Sequence, residues 1–95
     1  MQNIYLNDLD NFLNKGAILI DVREYHEYLK KHLDHAINIP LNNILTILDK
    51  YKKDSILIFY CKTGTRSKKA YDTLVSLNYN VIDLGAYDKI NLEKE

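Results

Sequence analysis

Two nearly unbroken apolar runs, Ala17-Ile18-Leu19-Ile20-Asp21-Val22 and Ser55-Ile56-Leu57-Ile58-Phe59-Tyr60, limit most strongly what this chain can become. A strand with one face in water alternates apolar and polar residues, whereas a strand covered on both faces does not. Each run therefore reads as a central strand, and the second is the most strand-like segment of the sequence. Segments of helical period lie between such runs, the order expected of an α/β fold with a parallel sheet between helices. With 95 residues, 46% apolar and 27% charged, the chain suits a single domain over residues 1–95 built on one core.

The weaker signals fill in the pattern. Ile4 to Leu6 reads as a weak first strand, and Asn7 caps a helix through Asn14 with Leu9, Phe12 and Leu13 on one face. Gly16 stands where a left-handed terminator belongs. Glu24 to Lys31 reads as a short helix, and Ala36 to Ile39 as a brief strand closed by Pro40, which has no N–H for a ladder. Leu41, Ile44, Leu45 and Leu48 form a helical stripe ending near Tyr51, and Lys52-Lys53-Asp54 turns into the second central strand. Ala70, Leu74 and Leu77 line a further helix; Asn78-Tyr79-Asn80 turns, and Val81 to Leu84 is a last strand before Gly85.

Charge and composition exclude several functions. Thirteen basic and thirteen acidic side chains cancel, so no global field draws the chain to nucleic acid or to an anionic membrane. Its eight tyrosines are scattered and share no basic stripe, unlike a base-stacking platform. The first residues carry no basic segment or long apolar run, so neither export nor a membrane span is expected. Cys61 is the one cysteine and has no disulfide partner within the chain, which points to a reducing, cytoplasmic setting.

Chemistry concentrates at Tyr60-Cys61-Lys62-Thr63-Gly64-Thr65-Arg66-Ser67: a thiol on the lip of a central strand, a small-residue loop, then a helix start. Ligands of open α/β sheets collect at the carboxyl ends of strands, and free N–H groups at a helix start attract anions. A loop curled around the thiol aims several N–H groups at one point and favours a thiolate. Gly64 permits a backbone conformation closed to other residues, while Thr63 and Thr65 are placed to cap the helix. The polar neighbours argue against a buried apolar setting for Cys61. The chain's two arginines, Arg23 and Arg66, each lie just beyond a central strand, and Asp21 and Glu24 flank the first of them. Arginine suits fixed pairing with a carboxylate or oxyanion, so Arg66 either shapes the loop or binds a ligand. Lys62, with Arg66, Lys68 and Lys69, makes a local positive cluster in a neutral chain. Asp21 reads as a strand-end acid bonding nearby N–H groups. His26, His32 and His35 have irregular spacing and fall on different elements, so no metal site is expected.

Three segments, in this order and spacing, resemble the rhodanese-like domain family from about Tyr5 to Tyr87. They are Asp21-Val22-Arg23-Glu24 with Glu27 after it; His32-Leu33 through Ala36-Ile37-Asn38-Ile39-Pro40-Leu41; and Cys61-Lys62-Thr63-Gly64-Thr65-Arg66-Ser67, which matches a Cys-x-x-Gly-x-Arg-Ser loop. Leu84-Gly85-Ala86-Tyr87 is similar to the family's closing turn. Lys31 and His35 stand where the family usually has glycines, and Ala86 replaces the second glycine of that turn. The resemblance implies a three-layer fold with a five-stranded, mostly parallel sheet flanked by helices.

It also implies sulfur transfer without a cofactor. The Cys61 thiolate takes the outer sulfur of a small anionic donor such as thiosulfate, releasing sulfite, and the persulfide passes sulfur to a thiol, a protein thiol among them, or to cyanide. Lys62, Thr63, Gly64, Thr65 and Arg66 form the substrate loop in this reading, supported by Asp21, Arg23 and Ser67. Two other classes compete. A persulfide carrier or non-catalytic interaction module of the same fold would use partner binding, although non-catalytic members typically lack the cysteine. Related cysteine phosphatases and arsenate reductases use a loop one residue longer between Cys and Arg than Lys62 to Thr65, and no general acid is marked here.

Overall fold

The computed structural model describes residues 6–87. Helix α1 spans Leu6–Asn14, strand β1 Ile18–Asp21, helix α2 Tyr25–Lys30 and strand β2 Ile37–Asn38. A 3-10 helix over Leu41–Thr46 runs into α3, Ile47–Lys50; β3 is Ile56–Cys61, α4 Thr65–Ser76 and β4 Asn80–Ala86. The four strands form one parallel sheet in the order β2-β1-β3-β4. A fifth strand was expected at Ile4 to Leu6; Ile4 and Tyr5 lie outside the described residues, and Leu6 opens α1 instead.

The apolar runs are two-faced, as their composition requires. Ile20, Val22, Leu57 and Phe59 pack on one side with Ile44, Ile47, Ala70 and Leu74, beneath α3 and α4. Leu19, Ile58 and Tyr60 point to the other side and meet Leu9 of α1 with Leu33 and Leu84. Three layers result, and each fully buried aliphatic or aromatic side chain contributes about 1.5–3 kcal/mol.

Two expectations change. The stripe Leu41, Ile44, Leu45, Leu48 assumed an α-helix, but a 3-10 helix has about 3.0 residues per turn, so every third residue shares a face. Ile44 and Ile47 are buried accordingly, while Leu45 and Leu48 face solvent. The last strand does not stop at Leu84. A β-bulge opposite Phe59 and Tyr60 lets β4 continue through Gly85, whose φ is 91°, to Ala86 beside Cys61. Of the two glycine replacements near residue 33, Lys31 has an ordinary extended backbone (φ −170°), whereas His35 sits at φ 70°, costing about 1 kcal/mol for a residue with a Cβ.

Candidate active site

The chain moves from β1 toward one edge of the sheet and from β3 toward the other, so a topological switch lies between these strands. Their carboxyl ends open the crevice in which such sheets bind ligands. Asp21, the last residue of β1, is in register with Tyr60, next to Cys61 at the end of β3.

Cys61 is fully buried and grouped with Leu57 and Phe59, contrary to the exposed polar setting expected from its neighbours. The reason is geometric: β3 carries the side chain inward by strand alternation, and the following loop folds back across it. Gly64 N–H donates to Sγ at 3.0 Å and Ser67 N–H at 3.3 Å. Two main-chain donors converging on one sulfur suit an atom that bears negative charge.

Gly64 itself is the N-cap of α4, at φ 96°, in the left-handed region where glycine alone is at ease. Neither threonine caps the helix as expected. Thr63 Oγ1 lies 3.5 Å from Thr65 Oγ1, and Gly64, which has no side chain to cap with, takes the N-cap position between them. Ser67, fully buried, locks the turn from inside, its hydroxyl donating to the Gly64 carbonyl at 3.2 Å.

Arg66 reaches across the crevice to α2. Its Nη1 and Nη2 donate to Glu27 Oε1 and Oε2 at 2.7 and 3.1 Å, tying the loop to the helix that follows β1. These hydrogen bonds outweigh the opposing effect of partial burial and hold the Glu27 carboxyl down at about 2, and they raise the Arg66 guanidinium in turn. Glu27 Oε1 also accepts from Glu24 N–H at 3.1 Å. Glu24, which sequence proximity suggested as an arginine partner, instead stands at the N-cap of α2.

Arg23 turns back on Asp21. Its Nε donates to both carboxylate oxygens at 3.0 Å, its Nη2 to Oδ2 at 2.8 Å, and its backbone N–H to Oδ1 at 2.8 Å. Asn38 Nδ2 donates to the Asp21 and Arg23 carbonyls at 3.0 and 2.9 Å, fixing the same strand end. Tyr60 Oη accepts from Leu33 N–H at 3.1 Å, and burial pushes the phenol above its usual range.

The lysines divide between two flanks, with Lys68 and Lys69 on the solvated helix face favoured for them and Lys62 apart. Lys62 lies on the α2 side of the loop, while Lys68 and Lys69 line the other side with Asp72 and Asp83, and Lys68 pairs with Asp72 at 3.3 Å. His32 stacks on Tyr28 at 3.8 Å with Nδ1 2.8 Å from the Tyr28 carbonyl. Among the described residues, no group of three or more His, Cys, Asp or Glu is placed to hold a metal, and no helix is long and apolar enough to cross a membrane. The sequence pattern marked Glu27 only as part of a motif and missed Asn38 as a support; Glu27 and Arg66 are 39 residues apart, so local spacing carries no sign of their pairing.

Fold and site together define a three-layer α/β fold that holds one thiol, at the end of a central strand, beneath two main-chain N–H donors. A family model for the rhodanese-like domain matches residues 6–92, and the chain belongs to that family. The mouse thiosulfate sulfurtransferase/rhodanese-like domain-containing protein 3 is 36% identical over 94 residues, covering 83% of this chain and 60% of the mouse protein. The tRNA uridine(34) hydroxylase of Buchnera aphidicola is 40% identical over 70 residues, 66% of this chain but 22% of that protein. The chain therefore spans less than two thirds of either relative's length, 22% of the hydroxylase and 60% of the mouse protein. Among solved structures, the human single-domain sulfurtransferase TSTD1 superposes with a TM-score of 0.74 at 26% identity over 94% of both chains.

Proposed function

We propose that this domain is a sulfurtransferase that moves sulfane sulfur from thiosulfate, or a related anionic donor, to a thiol or cyanide through a persulfide on Cys61. The observation that carries this reading is the pair of N–H groups, from Gly64 and Ser67, aimed at the Cys61 sulfur. In the first step the thiolate attacks the outer sulfur of thiosulfate; the new S–S bond forms as the donor's S–S bond breaks, and sulfite leaves with the bonding pair. In the second, an acceptor thiolate or cyanide attacks the outer persulfide sulfur and returns Cys61 as thiolate. Charge is conserved in both, and the cradle's donors serve the thiolate and the persulfide anion alike.

Lys62, Thr63, Gly64, Thr65 and Arg66 form the donor-facing loop in this reading, while Asp21, Arg23 and Ser67 hold its base. Because Cys61 is buried, the reaction needs the loop that follows it to open a path to Sγ. The test is intact mass after incubation with thiosulfate, followed by gel filtration and cyanide. One added sulfur, released as thiocyanate and absent in Cys61→Ala, is the expected result. An adduct only from a protein persulfide donor would make the domain a relay carrier, and no adduct from either would favour an interaction module.

A further inference from the structure

The loop has two flanks of different charge. On the α4 side, Lys68 and Lys69 are balanced by Asp72 and Asp83. On the α2 side, a groove of about 300 Å³ brings Lys62 together with Arg23, His26, Glu27, Lys30 and Lys31. Its one carboxylate among the described residues, Glu27, is committed to Arg66, and Arg23 is committed to Asp21. Lys30, Lys31 and Lys62 are exposed and form no salt bridge among the described residues. The groove also has a rigid wall, since Arg23 Nη2 donates to the Lys31 carbonyl at 2.6 Å and so pins the end of α2.

We infer that this groove binds the anionic body of the thiol that accepts sulfur from Cys61, an inference that rests on the sulfur-transfer reading above. The distribution of charge argues for the acceptor over the donor. Thiosulfate carries its charge within two bonds of the transferable sulfur, a distance the loop's own N–H groups serve. His26 to Lys30 extend along α2 by about 6 Å, at roughly 1.5 Å per residue, with Lys31 following at its end, while Lys62 at the other flank is the chain neighbour of Cys61. Only a ligand whose charges stand well apart from its reactive sulfur can use both ends. The class that fits is a low-molecular-mass thiol bearing carboxylate or phosphate groups several bonds from its sulfur. Its thiolate attacks the outer persulfide sulfur, the S–S bond to Cys61 breaks, and the acceptor leaves as the new persulfide.

The test separates loading from transfer. Protein charged with thiosulfate and freed of donor is mixed with glutathione, which carries two distant carboxylates, or with its diethyl ester, which keeps the thiol and loses those charges. Persulfide decay is followed by mass in the native protein and in Lys30→Gln/Lys31→Gln. Transfer to glutathione falls about tenfold in the variant, and less at high salt, while transfer to the ester and loading from thiosulfate stay within about twofold. Equal losses for both thiols, or an equal loss in loading, overturn the acceptor site, as does native protein that treats glutathione and its ester alike. Failure of the native protein to form any persulfide overturns the underlying reading instead. Binding of S-methylglutathione, followed by NMR shifts at the Lys30 and Lys31 amides, gives a readout free of sulfur chemistry; an absence of shifts there also sinks the site.

Discussion

The two arginines stand at matching places, each just past a central strand of the switch crevice, yet their ion pairs belong to different regimes. Arg23 and Asp21 are sealed, with side chains 9% and 0% exposed, and the guanidinium bonds only to the Asp21 carboxylate and the Lys31 carbonyl among the described residues. Arg66 and Glu27 are 32% and 22% exposed and join two separate elements, α4 and α2, across the crevice. A buried pair is costly to break because the survivor is left charged without water; a half-exposed pair loses less because solvent takes over. The first pair is thus a weld in the floor of the site, and the second is a clasp on the loop above it.

Breaking the weld has the largest expected effect. Asp21→Asn lowers stability by about 3 kcal/mol, seen as an earlier urea midpoint, while sulfur loading per folded molecule is retained. Loss of loading at unchanged stability would instead put Asp21 in the chemistry. Glu27→Gln, on the clasp, costs about 1–2 kcal/mol after allowance for solvent. The same pair predicts a pH window. With Glu27 ordinarily at 4.5 and held at about 2 in the fold, its contribution is complete above about pH 4.5 and is lost as pH falls toward 2. Acid titration of native protein against Glu27→Gln should show the two converging over that window; parallel curves would mean that the pair is not coupled to folding. Arg66→Lys keeps the charge but loses the two-pronged grip, so stability falls by less than about 1 kcal/mol while loading from thiosulfate slows about tenfold. Slower loading with unchanged stability assigns Arg66 to donor positioning, and the reverse makes it a strut only. The exposed pair Lys68–Asp72 sets the lower end of the scale: Asp72→Asn shifts stability by no more than about 0.5 kcal/mol.

Much of this was legible because local rules carried it. Gly64 and Gly16 were assigned positive φ from turn chemistry, and both have it, at 96° and 94°. The alternation of β1 and β3 between two cores follows from runs that are apolar at every position. Leu45 and Leu48 were misplaced because the choice between 3.0 and 3.6 residues per turn at a short helix is made by what it packs against. The burial of Cys61 escaped for a similar reason: polar neighbours in sequence are a loop that closes over the thiol in space.

By itself, then, the sequence determined a parallel α/β fold with its one thiol at a strand end before a glycine-led helix start, since strand composition and turn residues act over a few residues. Only the tertiary structure decided which carboxylate each arginine takes, that α2 leans its lysines beside the loop, and that the thiol rests covered. Those contacts join segments up to 39 residues apart, and their energies exist only once the crevice between β1 and β3 has formed.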